Sequence, residues 1–131
     1  MTGTAPPGRL HIFIDVDHTI VLATPRGPVL RPHVHHALAR LRAAGHTLHL
    51  WSAGGAEYCA KVAERYGLRP YLEGCHDKDP RVQPRPDFIV DDDAYLVSKY
   101  GGFAVTPYRA VDPDDRAFLD LLAALEELGH L

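Results

Sequence analysis

Short apolar runs alternate along this chain with longer stretches in which apolar residues recur at helical spacing. Leu10-His11-Ile12-Phe13-Ile14 is rich in strand-favouring residues and stops abruptly at Asp15, which predicts a buried central strand. Val21, Leu22, Val29 and Leu30 then flank the turn-forming Pro25-Arg26-Gly27-Pro28, the pattern of a small hairpin or flap beside the acidic segment. Pro32 opens a helical period of Val34, Leu38 and Leu41 that Gly45 ends. Thr47-Leu48-His49-Leu50-Trp51 predicts a second strand, followed by the small-residue turn Ser52-Ala53-Gly54-Gly55 and a helix carrying Tyr58, Cys59, Val62, Ala63 and Tyr66. A less regular stretch from Arg69 to Pro86 holds a short strand at Tyr71-Leu72 and then Lys78. Phe88-Ile89-Val90 predicts a strand that runs into Asp91-Asp92-Asp93, and Phe103-Ala104-Val105 a last one. Asp112-Pro113-Asp114-Asp115 predicts the start of a final helix whose face is Phe118, Leu121, Leu122, Leu125 and Leu128.

Strands that are short and apolar on both faces, separated by helices, imply a parallel sheet with helices on both sides. The expected fold class is therefore α/β, a Rossmann-like three-layer sandwich around a central parallel sheet. In such sheets ligands bind at the carboxyl ends of the strands. Asp15, Asp17, Ser52, Asp91 and Asp92 all fall immediately after predicted strands, so chemistry is expected there.

The chain has 131 residues, 46% of them apolar, enough for one core and too few for two. Residues 1–8, rich in Pro and Gly, read as a flexible leader ahead of a single domain over residues 9–131. The formal charge of -3, from 14 basic and 17 acidic residues, provides no footprint for bulk nucleic-acid binding. No segment has the pattern of a signal peptide or a membrane span, so a cytoplasmic location is expected. Cys59 and Cys75 make neither a disulfide framework nor a four-cysteine zinc site; both are expected to be reduced packing residues.

Two carboxylates two residues apart at a strand end, facing more after another strand, repel one another by ~1 to 4 kcal/mol per close pair. A cation removes that cost, and an oxygen-only donor set suits Mg2+, which keeps water and substrate phosphate in its shell.

The ordered motifs resemble those of the haloacid dehalogenase-like (HAD) superfamily. Ile12-Phe13-Ile14-Asp15-Val16-Asp17-His18-Thr19 matches the strand followed by Asp-x-Asp-x-Thr. Leu48-His49-Leu50-Trp51-Ser52 matches the strand ending in Ser or Thr, and Lys78 the lysine. Phe88-Ile89-Val90-Asp91-Asp92 matches the strand ending in paired acids. The wording Trp51-Ser52-Ala53-Gly54 with Tyr58 downstream resembles the capless phosphatase branch, and the intervals from Asp17 to Ser52 and from Ser52 to Lys78 leave no room for a cap. The resemblance implies a phosphatase. Asp15 would be the nucleophile that forms an aspartyl-phosphate, and Asp17 the general acid and base. Ser52 and Lys78 would stabilise the phosphoryl group. Thr19 and Ala53 would support loop and phosphate. Magnesium would be held by Asp15, the Asp17 carbonyl and Asp92, with Asp91 in a supporting or water-mediated role. The expected partner is a phosphorylated small molecule or macromolecular end, and a homodimer is one arrangement that would close an open pocket.

Plainer readings compete at several positions. Lys61, Arg85 and Lys99 are rivals to Lys78 for the cation. His33, His35 and His36 read as a solvated helix start, Trp51 as core or pocket wall, and Asp93 as the beginning of the next helix. Other functions also compete. A phosphate-receiving signalling domain shares an acidic, magnesium-binding pocket, but there the accepting aspartate follows the third strand and the lysine comes last. A carboxylate nuclease leaves Ser52 and Thr19 unexplained. A catalytically silent binding module would not need every motif residue.

Overall fold

The computed structural model describes residues 9–131; the leader expected over residues 1–8 lies outside the described residues. In chain order the elements are β1 (His11–Asp15), β2 (Val21–Thr24), β3 (Gly27–Leu30), α1 (Val34–Ala43), β4 (Thr47–Ser52) and α2 (Ala56–Arg65). They continue with β5 (Leu72–Asp77), β6 (Phe88–Asp91), α3 (Ala94–Tyr100), β7 (Gly102–Ala104) and α4 (Ala117–Glu127). Five strands form a parallel sheet in the order β5-β4-β1-β6-β7, while β2 and β3 pair separately as an antiparallel hairpin. β1 is central because its residues are apolar on both faces. The register sets Asp15 beside Trp51 and Ile14 beside Val90, so Asp15, Ser52 and Asp91 leave the sheet at one edge.

The two-residue period of the strands divides the core. Ile12, Ile14, Leu48, Leu50, Phe88 and Val90 face α1, α2 and α4 in one continuous cluster that includes Leu38, Leu41, Val62, Phe118, Leu121 and Leu125. At about 1.5 to 3 kcal/mol for each large side chain fully buried, this thick layer supplies most of the apolar driving force. Phe13, Trp51 and Ile89 point the other way, under Leu96, Val97 and Tyr100 of α3 and under Val82. The result is the three-layer α/β sandwich, unequal in its two outer layers. Only the hairpin and α1 separate β1 from β4, and only α2, a single 3-10 turn and β5 separate Ser52 from Lys78; no cap domain is present among the described residues.

Three boundaries differ from the sequence expectation. The short strand expected at Tyr71-Leu72 is the six-residue β5. It escapes an apolar pattern because it is an edge strand, paired only to β4, and its polar residues reach solvent. α1 starts at Val34 rather than Pro32, because His33 takes a left-handed backbone with φ of 68°. α4 starts at Ala117 rather than at Asp112. The acidic run forms a turn instead, and Asp115 is turned inward to Arg31. No helix among the described residues is long and apolar enough to cross a membrane.

Candidate active site

Asp15 is the last residue of β1 and is 7% exposed. The chain then coils tightly. The N–H groups of Thr19, Ile20 and Val21 all point at the carbonyl of Val16, and His18 adopts a left-handed φ of 63°. This turn returns the fully buried Thr19 beneath Asp15, where its hydroxyl donates to Asp15 Oδ2 at 2.9 Å. The Asp-x-Asp-x-Thr spacing thus acts locally, with the threonine fixing one oxygen of the first aspartate.

At the end of β4, Ser52 is 3% exposed and its Oγ accepts the Gly54 N–H at 2.9 Å. The Ser52 carbonyl accepts the Lys78 N–H at 3.1 Å, which pins the residue following β5 against the end of β4. Lys78 Nζ then lies 3.3 Å from Asp15 Oδ1 and 2.7 Å from Asp91 Oδ2. The short ion pair with Lys78 is the charge partner of Asp91 Oδ2, an oxygen of a fully buried carboxylate. The other oxygen of Asp91 accepts the Asp93 N–H at 3.0 Å. Asp93 itself caps α3 by accepting from Leu96 N–H at 3.2 Å, the helix-start role expected for it.

Asp15, Asp91 and Asp92 each place one carboxylate oxygen so that all three lie within 4.8 Å of one another. Confining these charges has a direct electrostatic consequence. Burial, then the charge of Asp91, push the Asp15 carboxyl up to about 7, against a smaller lowering by Lys78. Burial likewise raises Asp91, and Lys78 only partly offsets it. Burial works against the charge of Lys78, but Asp15 and Asp91 outweigh it and hold the ammonium above its ordinary value. One ammonium does not balance three carboxylates. The all-oxygen donors and their spacing suit a hard divalent cation.

The Asp17 carboxylate stands apart from this cluster, with Oδ1 accepting the Tyr58 hydroxyl from α2 at 2.5 Å. Burial, then this hydrogen bond, raise the Tyr58 phenol far above its ordinary value, so it remains a donor. Ala53 is exposed in the turn after Ser52. The rival cations lie elsewhere: Lys61 pairs with Glu57 on the exposed face of α2, Lys99 lies over Tyr95, and Arg85 over Tyr100. His33, His35 and His36 are exposed, as a solvated helix start would be.

Arg31 is a structural residue that the sequence pattern hides. It is 2% exposed and binds both carboxylate oxygens of Asp115, at 2.7 and 3.0 Å. It also donates to the carbonyls of Thr19 at 3.2 Å and Thr106 at 2.7 Å. Tyr108 holds the same turn from the other side through its N–H, which donates to the His18 carbonyl at 2.8 Å. A single arginine ahead of Pro32 looks like surface charge, and its partner is 84 residues away, so no local signal marks it.

No protein-family model matches the sequence, and no curated protein is detectably similar to it. Solved structures with the same fold do exist. A protein of Listeria monocytogenes serotype 4b, itself uncharacterised, aligns at TM-score 0.68 with 14% identity over 92% of this chain and 99% of its own. A provisionally named HAD-like phosphatase of Mesorhizobium loti aligns at TM-score 0.56 with 21% identity, over 98% of this chain and 91% of its own. The fold is thus HAD-like.

Proposed function

We propose that the protein is a magnesium-dependent phosphomonoester hydrolase that works through an aspartyl-phosphate. The observation that carries this reading is the meeting of Asp15, Asp91 and Asp92 with Lys78 at the carboxyl edge of the sheet, with a second aspartate two residues beyond the first. The fold shared with a provisionally named HAD-like phosphatase supports it.

Asp15 is the nucleophile in this reading. Thr19 fixes one of its oxygens, and Lys78 lies against the other. Lys78 and a bound cation together favour the ionised carboxylate that attack requires, against the burial that otherwise keeps it protonated. Asp15, Asp92 and the Asp17 carbonyl would hold Mg2+. Asp91 has a supporting role, since it anchors Lys78 and the start of α3. The ion would supply charge stabilisation for the phosphoryl oxygens. In this reading the Ser52 hydroxyl and the turn at Ala53 would donate hydrogen bonds to the phosphoryl oxygens and so stabilise developing charge.

Asp17 serves as the acid that protonates the leaving oxygen and then as the base that activates water. Tyr58 holds one of its oxygens and leaves the other available. With no cap domain among the described residues, the site in this reading admits a phosphorylated macromolecular end as well as a small ester.

The test is hydrolysis of p-nitrophenyl phosphate with magnesium and with a chelator. Turnover should require the metal, disappear in Asp15→Asn and fall by at least about 100-fold in Asp17→Asn, the range of general acid-base catalysis. Full activity in Asp15→Asn would overturn the reading. Stoichiometric, long-lived phosphorylation without turnover would instead identify a phosphate-receiving module.

A further inference from the structure

Tyr58 is the wall between two places. Its hydroxyl reaches Asp17, and its ring lies against Gly54, where an added Cβ would come within 3.2 Å of it and 3.3 Å of Ser52 Oγ. On its other side a groove of about 310 Å³ runs between α2 and the β2–β3 hairpin, lined by Pro28, Tyr58, Lys61, Val62 and Arg65. The four α2 residues fall at positions i, i+3, i+4 and i+7 and so form one helix face.

The hairpin is docked along this face rather than free. The Tyr66 hydroxyl donates to the Pro28 carbonyl. The Arg65 guanidinium packs close against Gly27, where an added Cβ would lie 3.1 Å from Nη1, and Gly27 has a φ of 107° that other residues rarely adopt. The groove floor is apolar, from Val62 and Pro28, and its rim carries two cations. Glu57 partly matches Lys61 at 3.7 Å. Arg65 has no carboxylate within 4.0 Å among the described residues. The rise from Tyr58 to Arg65 is roughly 10 Å, at about 1.5 Å per residue.

Resting on the phosphatase reading above, we propose that this groove receives the leaving-group end of the substrate and selects phosphomonoesters whose alcohol carries a second anionic group. Asp17 is the residue that protonates the leaving oxygen, so the groove beginning at its Tyr58 partner lies on the leaving-group side. An apolar linker would cover Val62 and Pro28 and bring the remote anion to Lys61 and Arg65. The chain is acidic overall, so this local pair of cations runs against its general charge.

The experiment compares kcat/KM for matched esters that differ only in the remote charge. One arm uses phenyl phosphate and 4-(carboxymethyl)phenyl phosphate. A second uses a phosphotyrosine peptide flanked by glutamates and its glutamine counterpart. The charged member should be favoured by about 1.4- to fivefold per cation engaged, the range of solvent-exposed ion pairs. High salt should erase the preference. Arg65→Gln should lower it, Glu57→Gln should raise it by freeing Lys61, and Arg42→Gln, at the far end of α1, should not change it. The arm with the larger preference identifies whether the anion comes from a small molecule or an acidic peptide. Equal kcat/KM in both arms would overturn the proposal. If the protein hydrolyses no ester, the phosphatase reading fails separately. Calorimetric binding of the corresponding phosphonates then decides the groove, since equal affinity for charged and neutral members refutes it.

Discussion

Replacing Asp15 by Asn should make the metal-free protein more stable while abolishing its chemistry. In the native state the Asp15 carboxyl is moved from 3.8 to about 7, first by burial and then by Asp91. An acid raised in the folded state binds more protons there than when unfolded. It therefore contributes stability below pH 3.8 that is lost as pH rises through 7. The whole interval corresponds to about 4 kcal/mol, an upper bound on what ionising Asp15 costs at neutral pH. Asn keeps the shape and stays neutral, but gives up the charge contact with Lys78 at 3.3 Å, so a net gain of about 1 to 3 kcal/mol is expected. Urea unfolding in chelator between pH 4 and 8 measures this directly. The wild type should lose stability across that range relative to Asp15→Asn, and magnesium should stabilise the wild type and leave the variant nearly unchanged. A variant less stable than wild type at pH 7 in chelator, or one that retains the full magnesium response, would refute the electrostatic account of the site.

Three further outcomes follow from other parts of the molecule. Arg31→Met should cost about 3 to 5 kcal/mol in urea unfolding because Asp115 and the turn carbonyls lose a buried cation; a loss under 1 kcal/mol would show that the pair does not hold the turn. Tyr58→Phe should lower kcat about tenfold with a smaller change in KM, the size of one hydrogen bond to a charged group, and an unchanged kcat would remove Tyr58 from the positioning of Asp17. His49, 1% exposed and hydrogen-bonded to His11 at 3.2 Å and His76 at 2.9 Å, is lowered from 6.5 to about 4 by burial and then by those two rings. The native state resists its protonation, so stability should fall by up to about 3 kcal/mol as pH drops from 6.5 through 4, and His49→Gln should flatten that slope in an acid titration followed by circular dichroism.

The first motif was readable because it is local. β1 is apolar on both faces, the turn after it closes within a few residues, and Thr19 reaches Asp15 across only four positions. The same holds for the end of β6, where Asp91 and Asp93 bind backbone groups two and three residues on. Periodicity likewise indicated the parallel sheet and its helices, while the short intervals between the motifs that carry the family resemblance left no room for a cap. Periodicity underestimated β5, where an edge strand needs no apolar pattern beyond the expected Tyr71-Leu72, and it failed at Asp112–Asp115, where a run that favours a helix start is used for a turn because Asp115 is drawn to Arg31.

Residue types and order along the chain therefore determined the α/β layers, the strand-end position of the acids and the candidates for each role. Tertiary structure decided which of them meet. Lys78 rather than Lys61, Arg85 or Lys99 lies against Asp15, across 63 positions of sequence, and Tyr58 finds Asp17 across 41. It also buried Arg31 with Asp115 and aligned Lys61 and Arg65 along a groove. The reason is physical: periodicity and turn chemistry are local properties of the backbone, whereas a buried charge is tolerable only beside a partner that folding alone brings within reach.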